Sequence, residues 1–257
     1  MRSKVILSCS TITWGELADE EGFKKALGSI KRLGYRDAGI EYPLLPTSLR
    51  EKPELGGEIT KRSGLTVAAV AIDTSPFMAR VVRGFGSSVG WLCLFERDID
   101  EAIEKTKKLT SACGKAGVDV SLHPHVKSNL LSTEDLDKVI KACAPNRVSV
   151  TVDTAHLTAL DINIPRFIER YRSKISLVHV KDLRVKKPQQ EVDYSKDFVD
   201  LGDGVADLKG TVKTLRAVGY QGALMVEVDY PQDVTVDASA RKNYEYLASL
   251  VGAVSQR

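Results

Sequence analysis

Histidine is scarce in this chain, with only four among 257 residues. The four cysteines form no CxxC pair, which argues against a disulfide framework or a thiolate zinc site, and we expect them to be small buried residues. No apolar run approaches the roughly 18 residues of a membrane span, and the N-terminal apolar run breaks off too early for a signal peptide. These shortages predict a cytoplasmic protein without a membrane segment.

The charge balance is also unremarkable, with 37 Lys and Arg against 34 Asp and Glu and a net charge of +3. The basic residues are scattered along the chain, so no basic patch indicates nucleic acid as a partner. Hydrophobic residues at 43% and charged residues at 28% are typical of a globular protein with a sizeable core. We therefore expect a globular protein that has no nucleic acid as a partner.

Short β-branched runs alternate with longer segments of helical period, the pattern of repeated βα units. Eight candidate strands cover residues 4–9, 36–41, 65–72, 89–95, 118–123, 147–153, 175–181 and 223–229. Helix candidates include 22–34, 98–117, 133–144 and 207–219, with boundary signals at Ser132 or Thr133 and at Gly34, Gly117 and Gly219. The third unit leaves room for only a short helix. Eight such units predict one α/β domain over residues 1–257, a single (β/α)8 TIM barrel.

Polar side chains gather at the carboxyl ends of the later strands, where the active sites of such barrels lie. They are His123 and His125 around the end of strand five, Asp153 and His156 around strand six, His179 near the end of strand seven, and Glu227 on strand eight. His123 and His125 are two positions apart, so on a strand both would face the same side. Glu227 sits among apolar strand residues and would need a compensating charge if buried, which a divalent cation would supply.

Two imidazoles and two carboxylates make a mixed nitrogen and oxygen site, which favours one Mn²⁺, Co²⁺, Zn²⁺ or Fe²⁺ ion over Mg²⁺ or Ca²⁺. The predicted ligands are His123, Asp153, His179 and Glu227, with His125 as an alternative to His123. The remaining groups would surround the metal as proton carriers or substrate anchors: His125, His156 and Lys181. Glu227 is predicted to be both ligand and catalytic base.

Four segments resemble the xylose isomerase-like superfamily of sugar phosphate isomerases and epimerases, in that family's order and spacing. They are HPHVKSNLLSTEDL, VDTAHLTALDIN, SLVHVKDL and LGDGVADLKGTVKTLRAVGYQGALMVEVD. The resemblance implies a divalent metal held by a Glu, an Asp, a His and a final Glu, the last three matching Asp153, His179 and Glu227. It also implies that His156 and Lys181 face the substrate, and by analogy a homodimer or homotetramer.

The chain departs from this pattern where the family has its first Glu, because His123 occupies that place. The His-Pro-His form is similar to the inosose dehydratase branch. An epimerase of this family uses two carboxylates, one to remove a proton beside a carbonyl and one to return it from the opposite face. Here a histidine or Lys181 would have to be the second proton carrier.

These observations predict a metal-dependent isomerase or epimerase that acts on a small sugar or other polyhydroxylated carbonyl compound through an enediolate. The alternative is a dehydratase, a lyase of a cyclic polyol ketone such as an inosose. A more remote alternative is a DNA repair nuclease similar to endonuclease IV, whose further metal ligands are missing because residues 183–206 contain no histidine. A non-catalytic sugar- or protein-binding barrel is a further alternative.

Three residues outside the metal set are candidates for substrate contacts. Trp14 follows the first strand and could form an apolar wall of the pocket, and Glu41 at the end of the second strand could hydrogen-bond the substrate. Arg184 lies in the long segment after the seventh strand, together with Lys186 and Lys187. Long loops of this kind often form lids or substrate walls, so these basic residues are candidates for binding a phosphate or carboxylate.

Overall fold

Eight parallel strands close into a barrel in the computed structural model, which describes residues 5–231 and 235–255. In chain order they are β1 Ile6–Ser10, β2 Asp37–Ile40, β3 Thr66–Ile72, β4 Val89–Leu92, β5 Asp119–Leu122, β6 Val148–Asp153, β7 Ile175–Val180 and β8 Ala223–Val226. Neighbours in sequence are neighbours in the sheet, and β8 closes the barrel against β1. The predicted (β/α)8 barrel is confirmed.

Ten α-helices lie within the described residues and cover the strands from outside. They are α1 Glu20–Leu33, α2 Thr47–Glu51, α3 Pro53–Arg62, α4 Met78–Gly84, α5 Ile99–Lys115, α6 Thr133–Cys143, α7 Thr154–Ala159, α8 Ile164–Tyr171, α9 Leu208–Ala217 and α10 Val236–Ser255. The four predicted helices are α1, α5, α6 and α9, and the short helix expected in the third unit is α4. No helix in the described part of the chain is long and apolar enough to cross a membrane.

The boundary residues act as the sequence predicts. Ser132 is the N-cap of α6, and its hydroxyl accepts a hydrogen bond of 3.1 Å from the amide of Asp135. Gly34 ends α1 in the left-handed region, at φ 104°. Two predicted strands run on too far, because β4 ends at Leu92 and β8 at Val226. Lys4, the first residue of the predicted strand 4–9, lies outside the described residues.

A small apolar cluster fills the barrel beneath the strand ends. It joins side chains of strands on opposite sides of the barrel, namely Ala69, Ala71, Trp91, Leu177, Ala223 and Met225. Gly39 lies against this cluster, since a Cβ there would come within 2.3 Å of the Met225 sulfur. The interior is therefore closed below, and only the carboxyl-end mouth is open to a ligand.

The long segment between β7 and α9 is fastened to the barrel by one carboxylate. Buried Asp182 accepts four backbone N–H bonds of 2.9–3.1 Å, from Leu183, Gly202, Gly204 and Ala206. Gly204 lies so close that a Cβ there would come within 2.4 Å of the Asp182 carboxylate. A two-residue antiparallel ladder, Asp182–Leu183 with Phe198–Val199, completes the attachment.

Asp182→Ala is therefore expected to destabilise the protein by about 3 kcal/mol, since four amides lose a charged acceptor. Chemical denaturation measures this difference. Asp203→Ala is the matched control in the same segment, because that carboxylate is exposed and pairs with Lys242 at the surface. The control should cost less than about 1 kcal/mol. Equal losses in the two variants would contradict the fastening role of Asp182.

Candidate active site

A cavity of about 680 Å³ opens at the carboxyl-end mouth of the barrel. Its polar lining includes Glu41, His123, His125, Lys181, Glu227 and Asp229. These side chains come from the ends of strands that are far apart in sequence. Barrel closure alone brings them together, and this is the mouth at which the sequence predicted the site.

Asp153 joins two overlapping groups of possible metal ligands. One group is His123, Asp153 and His156, and the other is Asp153, His179 and Glu227; within each, the candidate ligand atoms lie within 4.8 Å of one another. Asp153 Oδ2 is 3.3 Å from His123 Nε2 and 3.6 Å from His179 Nδ1. His179 Nδ1 is in turn 3.2 Å from Glu227 Oε2. The four predicted ligands therefore form one connected chain of contacts.

The other carboxylate oxygen of Asp153, Oδ1, stabilises the start of α7. Asp153 is the N-cap of α7, and its Oδ1 accepts a 2.8 Å hydrogen bond from the amide of His156. This bond turns Oδ2 toward the imidazoles of His123 and His179. Helix capping and possible metal binding thus use different oxygens of one side chain.

The spacing of these atoms fits a divalent transition metal. A metal bound at the usual 2.0–2.2 Å needs ligand atoms about 2.8–3.6 Å apart, and the contacts between the four predicted ligands are 3.2–3.6 Å. Within the described residues, both ring nitrogens of His179 and Oε2 of Glu227 are buried and make no well-formed hydrogen bond, although Nδ1 and Oε2 face each other at 3.2 Å. Buried polar atoms rarely stay unsatisfied, so these atoms suit a cation that His123, Asp153, His179 and Glu227 would hold.

Lys181 forms a buried ion cluster beside these groups. Its Nζ is 3.0 Å from Glu227 Oε1 and 2.7 Å from Asp229 Oδ2, and it lies 4.0 Å from the centre of the Phe198 ring. Burial alone would lower the pKa of Lys181, but attraction by Asp229 and Glu227 outweighs it and raises the pKa. Lys181 is therefore a permanent cation that orients Glu227.

The carboxylates of the site differ in charge state. Burial alone would raise the pKa of Glu227, but Lys181 and His179 lower it below its usual value, so Glu227 is ionised. Burial raises the pKa of Glu41 well above its usual value, and repulsion by Glu227 and Asp229 adds to this effect. The cavity thus holds the ionised carboxylate of Glu227 together with the protonated carboxyl group of Glu41.

The imidazoles of His123, His125 and His156 are neutral at physiological pH. Burial lowers the pKa of His123, and it lowers the pKa of His125 to about 3, with further repulsion from His123 and Lys181. His125 Nδ1 donates a 2.8 Å hydrogen bond to the carbonyl of Val126, so its Nε2 carries the free lone pair. His125 is therefore a proton acceptor on the cavity wall.

His156 does not line the cavity, although it was expected to face the substrate. The side chain is fully buried behind His125, with ring centres 3.7 Å apart, and packs edge-on against Phe198. The reason is that α7 begins directly after Asp153 and turns His156 under the loop between β7 and α9. His156 thus belongs to the cluster around Asp153.

Two of the three predicted substrate contacts also lie away from the cavity lining. The Trp14 indole donates to Asp237 of α10 at 3.3 Å, because a short 3-10 helix follows β1 and directs the side chain outward. Exposed Arg184 donates to the carbonyl of Lys196 at 3.1 Å within its own loop. Glu41 does line the cavity, and its backbone amide donates to Thr11 Oγ1 at 2.9 Å.

Three of the cavity residues that were not predicted bear on the chemistry of the site. Asp229 lies two positions after Glu227, which would place both on one face of the predicted strand 223–229, so this spacing could have indicated it. Cys93 is half-buried, lines the cavity and has its sulfur 3.1 Å from His123 Nδ1, whereas Cys9, Cys113 and Cys143 are buried as expected. Tyr194 reaches the cavity from the loop after β7. No sequence pattern indicated Cys93 or Tyr194.

The fold and this mouth define a (β/α)8 barrel with imidazoles and carboxylates gathered at the carboxyl ends of its strands. The sequence model described as "Xylose isomerase-like TIM barrel" matches residues 58–250, so the chain belongs to that family. The resemblance stated from the motifs is confirmed.

Individual proteins with similarity to the chain agree with this assignment. Inosose dehydratase of Geobacillus thermodenitrificans (strain NG80-2) is 26% identical over 143 residues, which are 52% of this chain and 48% of that protein. The chain thus spans about half the length of the curated relatives it matches. A structure of "IOLI protein with a binding zinc atom" superimposes with TM-score 0.79 at 16% identity, covering 97% of this chain and 99% of the other. A structure of L-ribulose 3-epimerase gives TM-score 0.80 at 14% identity, with 98% and 96% covered.

Proposed function

We propose that this protein is a metal-dependent dehydratase that removes water from a polyhydroxylated ketone of the inosose kind. The observation that supports the proposal is the pair of side chains on the cavity wall near the ends of β5 and β8. This wall presents an ionised carboxylate, Glu227, and a neutral imidazole, His125, while His123 occupies the place at which a two-carboxylate epimerase of this family has a glutamate. The similarity to inosose dehydratases supports the same reaction class.

The proposed reaction needs a proton taken from carbon and a hydroxyl lost from the neighbouring carbon. A bound divalent metal would supply Lewis-acid polarisation of the substrate carbonyl, which acidifies the adjacent C–H bond. Glu227, ionised and held by Lys181 at 3.0 Å, accepts that proton. The proton taken by Glu227 is then relayed through the free Nε2 of His125 to the leaving hydroxyl, so that water departs, Glu227 is again ionised and His125 is again neutral.

Isomerisation or epimerisation is the second candidate, and Glu41 is the observation that favours it. This side chain lines the same cavity from β2 and has a raised pKa, so it holds a proton that it could deliver to carbon. The two reactions share the first proton transfer and differ only in the second step.

The mass of the product separates the two candidates. We expect metal-loaded protein incubated with an inosose in D₂O to give a product lighter by one water, detected by mass spectrometry. A product of unchanged elemental composition that has gained deuterium at carbon would contradict the dehydratase proposal and favour the isomerase or epimerase. The metal-free protein is the control for spontaneous elimination.

His125→Ala is expected to slow water loss more than hydrogen exchange at the carbon beside the carbonyl. The reason is that Glu227 makes the first proton transfer while His125 serves the second. Proton NMR in D₂O measures exchange, and mass spectrometry measures water loss in the same samples. Equal reductions in the two rates would assign His125 to the first step as well.

A further inference from the structure

We propose that the substrate of this site is an uncharged polyhydroxylated ketone that carries an apolar group, rather than a sugar phosphate or a sugar acid. This inference rests on the proposed function and narrows it to a substrate class. It is drawn from the charges and the apolar surface of the cavity, two features that the reaction itself does not require.

The first observation is the excess of acidic over basic side chains around the cavity, even with Glu41 uncharged. Its described lining contains five acidic residues and a single Lys or Arg: Glu16, Glu41, Asp73, Glu227 and Asp229 against Lys181. Lys181 is already shared by Glu227 and Asp229, at 3.0 and 2.7 Å. A bound divalent cation would be offset by the charges of its own ligands Asp153 and Glu227. A phosphate or carboxylate elsewhere in the cavity would therefore face the remaining acidic side chains and no unengaged Lys or Arg within this lining.

The second observation is that the basic side chains in the loop after β7 do not face the cavity. Arg184, Lys186 and Lys187 were candidates for binding an anion, but none of them lines the cavity. Lys186 pairs with Asp161 in the turn after α7, and Lys187 pairs with Asp197 of its own loop. These three residues are therefore already engaged away from the ligand space.

The third observation is an apolar wall that faces the polar groups. The loops and strand ends of β1 to β4 supply it, chiefly through Ile12, Leu44, Ile72, Trp91 and Phe95. The Phe95 side chain is 58% exposed, and its ring packs edge-on against His125 with centres 5.3 Å apart. Phe95 therefore lies where a group attached to a substrate at His125 would reach the wall.

The size of the cavity agrees with a substituted substrate. Its volume of about 680 Å³ lies within the roughly 300–1,000 Å³ typical of pockets for drug-sized ligands. A single polyhydroxylated ring would engage the polar side and leave the apolar wall in water. A flat apolar substituent such as a phenyl ring would cover that wall and gain from its burial.

The test compares three ligands built on one inosose: the unsubstituted compound, its phenyl ether and its phosphate ester. Binding to Mn²⁺-loaded protein is measured by isothermal titration calorimetry, under conditions in which turnover is too slow to interfere. We expect the phenyl ether to bind at least roughly tenfold tighter than the parent, and the phosphate ester to bind at least roughly tenfold weaker. The phosphate penalty should shrink as salt is added, since screening weakens repulsion.

Phe95→Ala should remove most of the gain from the phenyl group, so that the affinity for the phenyl ether falls more than the affinity for the parent inosose. Phe77→Ala is the matched control, since Phe77 is a comparably exposed phenylalanine (44%) that is not in the cavity lining. The inference is overturned if the phosphate ester binds as well as the parent, if its penalty is independent of salt, or if the phenyl gain is absent or survives in Phe95→Ala. Binding in the expected order without any turnover would refute the proposed reaction and leave this substrate class standing.

Discussion

Asp153→Asn is expected to lose the metal and the activity while the protein stays folded. Asparagine caps a helix about as well as aspartate, so the bond from the amide of His156 to this side chain can persist. The amide lacks the charge that a divalent cation needs between His123 and His179. Loss of a group that only hydrogen-bonds to a metal ligand lowers metal affinity by roughly 10–100-fold. Loss of a ligand itself should lower the affinity further. Elemental analysis after dialysis measures it.

The matched control is Asp207→Asn. Asp207 caps α9 in the same manner, with its Oδ1 accepting from the amide of Gly210 at 2.8 Å, but it lies outside the cavity lining. This variant should keep both metal and activity. Thermal melting of the two variants without metal should be similar. Full metal content in Asp153→Asn would show that the proposed ligand set is wrong.

Glu227→Gln is expected to reduce turnover by roughly 10²–10⁴-fold, the usual cost of losing a general base. The substitution keeps the shape of the side chain and its contact with Lys181, but removes the charge that accepts the proton. Exchange of the substrate C–H hydrogen in D₂O should fall by the same factor, because both depend on the first step. Steady-state kinetics and proton NMR provide the two rates.

Metal content must be measured alongside, since Glu227 is also a proposed ligand. If metal is lost, the rate is compared again at saturating Mn²⁺, so that the two roles are separated. Glu169→Gln is the control for the substitution itself, on the outer helix α8. Near-normal turnover with metal bound would move the base to His125 or Lys181.

The barrel was predictable because each strand and helix is marked by a periodic pattern of its own residues and by signals at its own ends. A β-branched run marks a strand, a capping residue such as Ser132 marks the start of a helix, and a glycine such as Gly34 marks its end. Once these elements alternate along the chain, the parallel order of the strands follows. The same geometry explains why His123 and Glu227 could be placed at one mouth, since every strand ends there.

The remaining parts of the site depend on the path of the loops, which periodicity does not determine. Trp14 follows β1 as Glu41 follows β2, yet a 3-10 helix turns Trp14 toward Asp237 while Glu41 reaches the cavity. His156 is hidden because a helix starts directly at Asp153. Tyr194 enters the cavity from a long loop whose course only tertiary contacts define.

The attachment of the long loop by Asp182 bears on how such an enzyme can acquire new specificity. All four bonds to that carboxylate come from backbone amides, so they constrain the shape of the loop and place few demands on its side chains beyond Gly204. Tyr194, in the same loop, faces the cavity without contributing to these bonds. Mutation at Tyr194 can therefore alter ligand preference while the loop scaffold and the cluster around Asp153 are inherited unchanged.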